Sequence, residues 1–282
     1  MGYLNGSTWT LLLLKTYMDT KTRPLTIHML LRAFFEQWSG WHWQTPVIIG
    51  DFIPDFGGGV VAYSSLKEFE NAVMPIVSPC YPVCSTAPYV TKSTLRIMRK
   101  ELSRAVTIVQ VPDLSTDEKL QRLFKPLDFA KTYKHFLKII ISCDTYGSHE
   151  TWKMASYIPR FVPLLETCPE LKQVHPLTTP YSKIYQYRTR EEKVALRNGL
   201  ESGVSPYATA LEPGTLYLTH YVIGLEIELL DESDRVIDLS KHIQAFMAEL
   251  DLRKNKRDND VYIEIVAVKR RELANILKDE VK

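Results

Sequence analysis

Leu216-Tyr-Leu-Thr-His-Tyr-Val-Ile-Gly-Leu-Glu-Ile-Glu-Leu229 decides how the second half of this chain folds. Tyr217, Thr219, Tyr221, Ile223, Leu225, Ile227 and Leu229 fall on every second position. Such alternation predicts one long strand that turns these side chains to a single face. Upstream, Tyr133 to Ser142 also reads as a strand. Residues 149–167 read as a helix that Pro159 and Pro163 must kink or shorten, because proline lacks the N–H and crowds the preceding turn. Leu171 to His175 and Ile184 to Arg188 are short strands, and the polar stretch 189–215, with its Gly and Pro, reads as an insertion or long loop. Downstream, Asp238 caps a helix with Leu239, Ile243, Phe246, Met247 and Leu250 inward. Val261 to Val268 is a further strand, and a short basic helix finishes the chain. The order is β-α-β-β-α-β, the split βαβ pattern.

The first third is helical. Ile27, Leu30, Leu31, Phe34, Phe35 and Trp38 recur at helical spacing behind Pro24 and Thr26. Residues 8–18 form an earlier helix, predicted to turn Trp9, Leu12, Leu13 and Tyr17 inward. Trp38, Trp41 and Trp43 cluster after the second helix; aromatic rings in that position more often plug a core than stack a ligand. Residues 44–92 are irregular. Gly57, Gly58 and Gly59 make a flexible point there, but no P-loop lysine follows them. Ser93 to Val109 returns to helix, with Leu95, Met98, Leu102, Val106 and Val109 in one stripe. A capping box from Ser115 to Glu118 opens another helix that ends near Phe124. The expected fold class is multidomain: an all-α helical domain over residues 1–131, then an α+β, RNA-recognition-like (split βαβ, ferredoxin-like) domain over 132–282.

Composition bounds the function. At roughly 100–200 residues per domain, 282 residues and 32.5 kDa make about two domains. With 45% apolar and 24% charged residues, the chain can bury real cores, which excludes a disordered chain. Net charge is +2, so nucleic-acid affinity must come from local patches. Residues 1–131 carry 14 Lys and Arg against 11 Asp and Glu, and the remainder 21 against 22, so the second half lacks the bulk charge of a polyanion binder. Leu11 to Leu14 is the longest aliphatic run, far below the ~18 apolar residues of a membrane span. No membrane segment and no secretory signal are expected. Cys80, Cys84, Cys143 and Cys168 read as reduced intracellular thiols, too few for a disulfide framework.

The search for chemistry finds no active site. Gly6-Ser7 followed by Asp19 suggests the opening of a nucleotidyltransferase site. Two-metal transfer needs paired carboxylates, and a lysine, Lys21, stands where the second is required. Asp258 and Asp260 are spaced correctly but sit in a polar turn, which favours a solvated role. Catalytic and metal-binding residues are therefore expected to be none. The best binding feature is electrostatic: Lys92, Arg96, Arg99, Lys100 and Arg104 recur along one helix face, opposed by Glu101. That face suits RNA phosphates, or is simply a solvated surface. Arg253, Lys254, Lys256 and Arg257, with Lys269, Arg270 and Arg271, form a weaker cluster diluted by Asp251, Asp258 and Asp260. Leu216 to Leu229 lacks the aromatic spacing of RNA-recognition domains, so base stacking in their usual manner is not expected.

Met74-Pro-Ile-Val-Ser-Pro-Cys-Tyr-Pro-Val-Cys-Ser-Thr86 followed by Val90-Thr-Lys-Ser-Thr94 resembles a block of eukaryotic poly(A) polymerases. Gly2-Tyr-Leu-Asn-Gly-Ser-Thr-Trp9, Phe34-Phe35 with Trp38, and Trp41-His-Trp-Gln-Thr-Pro-Val47 resemble further blocks of that family in the same order. So do Tyr133-Lys134, His175-Pro-Leu-Thr-Thr-Pro180 and Tyr221-Val-Ile-Gly-Leu225. The resemblance implies the family's central and C-terminal RNA-binding domains without its catalytic nucleotidyltransferase domain. The Gly6-Ser7 match to a catalytic turn is then coincidental. The resemblance further implies an adenine contact at Asn5, Gly6 and Ser7, and contacts near the RNA 3′ end at Ser78, Tyr81 and Val83. The parent enzyme, a polynucleotide adenylyltransferase, joins AMP from ATP to an RNA 3′ end. Mg or Mn is held with ATP mainly by the absent domain, so this chain alone is expected to be inactive and to bind no cofactor by itself. Expected partners are poly(A) RNA 3′ ends, ATP and 3′-end processing factors, for a monomer in the nucleus. The competing expectation is a non-catalytic RNA or protein interaction scaffold built on the same two domains.

Overall fold

Polar caps start the longer helices of the first half, each satisfying N–H groups that a first turn leaves without partners. In this computed structural model, which describes residues 2–20, 26–50, 67–154, 157–200, 211–228, 237–254, 260–271 and 273, Asn5 caps α1 (Gly6–Asp19) and Thr26 caps α2 (Ile27–Ser39). A short α3 (Lys67–Glu70) follows. Thr91 and Thr94 form a capping box for α4 (Lys92–Val109), and Ser115 with Glu118 forms the expected one for α5 (Thr116–Leu123). Gly57, Gly58, Gly59, Pro24, Leu229, Lys256, Arg257, Asp258, residues 201–210 and most of the C-terminal helix lie outside the described residues.

The chain divides into two units, Gly2–Leu127 and Asp128–Lys282. In the first, α2 and α4 supply most of their expected apolar stripes to one core containing Phe34, Trp38, Trp43, Met98 and Leu102, while Ile27, at the open start of α2, is 80% exposed. Trp38 is fully buried, with ring centroids 5.0 Å from Trp41 and 5.7 Å from Trp43. The tryptophans are core plugs. The inward face of α1 holds Leu12 as expected but otherwise differs from expectation. Thr8, Leu12 and Thr16 are buried, while Trp9, Leu13 and Tyr17 remain 38%, 37% and 44% exposed. Hydroxyls win because the core holds partners for them: Trp38 Nε1 donates to Thr16 Oγ1 at 2.8 Å, and that hydroxyl donates to Leu12 O at 3.0 Å.

The second unit begins with α6 (Phe129–Thr132), β1 (His135–Cys143), α7 (Tyr146–Met154), α8 (Ile158–Leu165), β2 (Leu171–Pro176), β3 (Tyr181–Thr189) and α9 (Arg190–Arg197). It continues with β4 (Leu211–Ile227), α10 (Ser240–Arg253) and β5 (Val261–Lys269). The single helix expected over 149–167 is two helices. Pro159 sits in the first turn of α8, where a missing N–H breaks no helical bond. Within 189–215 lie α9 and the start of β4, which begins before Leu216.

The sheet has five strands in the order β2-β4-β1-β5, with β3 also on β4, all antiparallel. β1 pairs with β4 over Tyr217–Leu225, β3 with its first part and β2 with its last. Overlap with β1 places β2 and β3 end to end along the opposite side of β4. α7, α8 and α10 cover one sheet face through Trp152, Phe161 and Phe246 against Ile139, Tyr221, Ile223 and Leu225. The other face is covered too, so β4 is buried on both sides, not on one. α6 brings Phe129 beside Phe136 and Val222, and α9 brings Leu196 beside Ile140, Leu216 and Leu218. Gly224 makes room for this cover: a Cβ there would stand 2.5 Å from the Tyr133 ring.

His220 of β4 sits at 0% exposure in this double-sided core. Burial, reinforced by the positive charges of Lys138 and Lys183, pushes its pKa from an ordinary 6.5 down to about 3. The folded state therefore refuses a proton that the unfolded state accepts below pH 6.5. Stability is full above that pH and falls on acidification by roughly 1.4 kcal/mol per pH unit. Thermal melts between pH 7 and about 4.5 should show this limb, and His220→Leu should flatten it. A wild-type melting temperature that stays constant across that window contradicts the assignment.

Candidate nucleic-acid interface

The N-terminal turn and the 74–94 block meet within the helical unit. Asn5 Oδ1 accepts from Thr8 N at 2.9 Å, which starts α1. Thr8 Oγ1 lies 2.9 Å from the same Asn5 oxygen and 2.7 Å from Thr86 O, so one buried hydroxyl ties the cap to the end of the 74–86 loop. Gly2, at a left-handed φ of 81°, lies against Tyr89 O and the Thr94 side chain at the start of α4. Asn5, Gly6 and Ser7 are exposed, and a Cβ added at Gly6 would meet nothing within 4 Å.

The loop is held by backbone pairing. Val47 bridges to Ile76 in parallel, and Val77 bridges to Ser85 antiparallel. Ser78 N donates to Cys84 O at 2.9 Å and Thr86 N to Ile76 O at 2.9 Å. Of the loop residues singled out by sequence, Ser78 is buried and its hydroxyl donates to Cys80 O at 2.9 Å. Val83 is buried against Phe69 and Val77, whereas Tyr81 is 46% exposed. Only Tyr81 of these three presents a large side chain to solvent.

α4 buries Ser93, Thr94, Met98, Leu102, Ala105 and Val109 and exposes Lys92, Arg96, Arg99, Lys100 and Arg104. From Lys92 to Arg104 this cationic face runs for about 18 Å at 1.5 Å per residue. Arg104 of this face reaches a second helix. Its Nε donates to Glu101 Oε2 at 2.7 Å, and its Nη1 and Nη2 donate to Arg122 O and Leu123 O at 3.0 and 3.1 Å. The last carbonyls of α5 are thereby capped by a cation, the favourable charge for a helix C-terminus. Sequence spacing alone does not show this capping role, because the two carbonyls that Arg104 reaches lie on another helix.

The remaining candidates have structural partners. Asp19 lies at the far end of α1 from Gly6, about 20 Å along the axis, with Lys15 Nζ 2.9 Å from Oδ1 and Gln37 Nε2 donating to Oδ2 at 2.9 Å. Asp260 accepts from Thr145 N and Oγ1 and from Ser148 Oγ at 3.1, 2.8 and 2.8 Å. Burial opposes its charge, but the Ser148 and Thr145 bonds outweigh burial and hold its carboxyl below the ordinary value. Lys254 pairs with Asp251 at 3.0 Å. Arg270 Nη2 donates to Tyr133 O at 2.9 Å and to Lys131 O at 3.2 Å, closing the end of α6, while Lys269 and Arg271 are exposed. Among the described residues no three His, Cys, Asp or Glu side chains come together to hold a metal ion. No helix among them is long and apolar enough to cross a membrane.

On the sheet face beneath α6, Tyr133 Oη and His175 Nδ1 are 2.6 Å apart, with Phe129 and Phe136 packed against them. Burial, then the Glu226 charge, pushes the Tyr133 pKa up to about 12, so its hydroxyl keeps its proton. Aromatic side chains that could stack bases on an open sheet are thus part of a covered core.

These features define a class: a helical domain with a cationic helix, followed by a domain of helices around a five-stranded antiparallel sheet. Residues 1–126 match the family model described as the poly(A) polymerase central domain, and residues 128–282 match the poly(A) polymerase predicted RNA binding domain. The chain is 24% identical over 292 residues to a poly(A) polymerase of Dictyostelium discoideum, covering 99% of this chain and 32% of that protein. It is 24% identical over 293 residues to poly(A) polymerase PAPalpha of Candida albicans, covering 97% of this chain and 51% of the relative. Nuclear poly(A) polymerase 1 of Arabidopsis thaliana is 29% identical over 156 residues, covering 54% of this chain and 21% of that protein. The chain belongs to the poly(A) polymerase family. It spans between about a fifth and a half of the length of these relatives.

The role of Arg104 is testable against its neighbour. Arg104→Ala should destabilise the helical unit by about 1 kcal/mol through lost capping, and Lys100→Ala should leave it within about 0.5 kcal/mol of wild type. Urea unfolding followed by tryptophan fluorescence measures both. Equal stability of the two variants contradicts the capping role.

Proposed function

We propose that this chain supplies the base-gripping and strand-gripping walls of a poly(A) polymerase. The observation that carries the reading is the meeting of the Asn5–Ser7 turn, the 74–86 loop and the start of α4 in one unit, joined by the Thr8 hydroxyl. In this reading an adenine approaches the open space over Gly6, where no Cβ intervenes. Asn5 Oδ1 is committed to the cap, which leaves the amide NH2 as the donor toward a base edge. RNA lies along Lys92, Arg96, Arg99 and Lys100, whose charges replace its counterions. Tyr81 offers the exposed ring for a base near the 3′ end, and stacking of that kind contributes about 1–3 kcal/mol. Ser78 and Val83 support the loop from beneath.

For the second domain we infer a split βαβ, ferredoxin-like topology in which β2 and β3 act as one interrupted strand. The strand order and the antiparallel pairing support it. Its second sheet face is packed under α6 and α9, so RNA is read at cationic rims such as Lys269 and Arg271, not by stacking on the sheet. The activity proposed for the whole protein is transfer of AMP from ATP to an RNA 3′ end, in the nucleus, by a monomer working with 3′-end processing factors. Mg or Mn would stabilise charge on the attacking and leaving oxygens. The groups that hold the metal are assigned to the part of the relatives that this chain does not span.

Fluorescent oligo(A) titrated at several salt concentrations tests the strand-gripping face. The double variant Arg96→Glu, Lys100→Glu should weaken binding and reduce the slope of log K against log salt by roughly 1.4, at about 0.7 for each phosphate no longer neutralised. With ATP, Mg or Mn and an oligo(A) primer, the same preparations should give no tail growth. An unchanged salt slope contradicts the interface, and robust extension contradicts the division of labour.

A further inference from the structure

The 78–85 hairpin carries two thiols that the proposed function does not use. Cys80 and Cys84 are free and exposed, while Cys143 and Cys168 are free and buried. Ser78 stands between the exposed pair. Its N–H donates to Cys84 O at 2.9 Å, and its Oγ lies 3.6 Å from Cys80 Sγ and accepts from Cys80 N at 3.4 Å. The antiparallel Val77–Ser85 bridge fixes the stem below. A disulfide spans roughly 4.4–6.8 Å between Cα atoms. Ser78 touches both cysteines at once, Cys84 through its backbone N–H and Cys80 through its hydroxyl, so the two thiol-bearing residues share one neighbour at the mouth of the turn.

We propose that Cys80 and Cys84 are an oxidation site, at which a disulfide staples the mouth of the 79–83 turn. With oxidised glutathione as the oxidant, one cysteine thiolate attacks its disulfide and releases one glutathione thiol. The second cysteine thiolate then displaces the bound glutathione. Two protein thiols lose two electrons and two protons, one Sγ–Sγ bond forms, the glutathione S–S bond breaks and two glutathione thiols leave. A loop this short gains little chain entropy on closure. The bond is correspondingly easy to reduce, which suits a reversible staple and not a structural one. Closed, it holds Tyr81 and its flanking prolines in one arrangement.

The full chain is incubated with oxidised glutathione, alkylated with iodoacetamide and cut with trypsin after Lys67 and Lys92, so that one peptide carries both cysteines. The expected product is that peptide without alkylation and lighter by two hydrogens, restored to two alkylation sites by dithiothreitol, with Cys143 and Cys168 unchanged. In Cys80→Ser, Cys84 should instead carry a single glutathione. Separate glutathione adducts on both wild-type cysteines overturn the proposal. So do dimers linked through Cys80, or full alkylation of both residues after oxidation.

Discussion

Two buried hydroxyls on α1 seat that helix on the rest of the helical unit. Thr8 and Thr16 are 0% and 1% exposed beside Leu12, on a helix that leaves Trp9, Leu13, Leu14 and Tyr17 partly exposed. Burying a hydroxyl costs free energy unless it is hydrogen-bonded. Thr16 meets that condition by accepting from Trp38 Nε1 and donating to Leu12 O. Thr8 meets it between Asn5 Oδ1 and Thr86 O. The first pair orients α1 on the tryptophan core, and the second sets its N-terminus on the loop that ends at Thr86. The placement of the turn at Asn5 depends on that seating.

The second unit solves a different problem. A sheet with one open aromatic face is a platform for bases, but here α6 and α9 close it. Gly224 is the permissive residue, since only without a Cβ can the Tyr133 ring lie on β4 and reach His175. Arg270 ties the end of β5 to the end of α6. Asp260, at the opposite end of β5, holds the first turn of α7.

Much of this is legible in the residues, for physical reasons. Phe34 and Trp38 on α2, Met98 and Leu102 on α4, the Ser115 capping box and the places of the strands follow from periodicity and cap chemistry, which are local, while α9 between β3 and β4 does not. Resemblance in the 74–94 block and the N-terminal turn points to the family that the comparisons establish. Beyond Leu12, the inward face of α1 is not legible, because apolar periodicity cannot see that Trp38 and Thr86 wait with hydrogen bonds for threonines. β4 misleads for a related reason. Leu216, Leu218 and Val222 are apolar on the second parity, a sign of burial on both faces that the regular odd-numbered series overshadows. The capping role of Arg104, and the distinction between Tyr81 and Val83 in the loop, rest on contacts from α3, α5 and the loop stem, which spacing does not encode.

The seating of the N-terminal turn on the loop that ends at Thr86 rests on the hydroxyl seam. Thr10 offers an internal control, since its exposed hydroxyl donates to Gly6 O on the same helix. Urea unfolding of Thr8→Val and Thr10→Val, followed by tryptophan fluorescence, separates the two cases. The account predicts a loss of about 1–3 kcal/mol for Thr8→Val and a change within about 0.5 kcal/mol for Thr10→Val. A Thr8→Val chain as stable as wild type would contradict it.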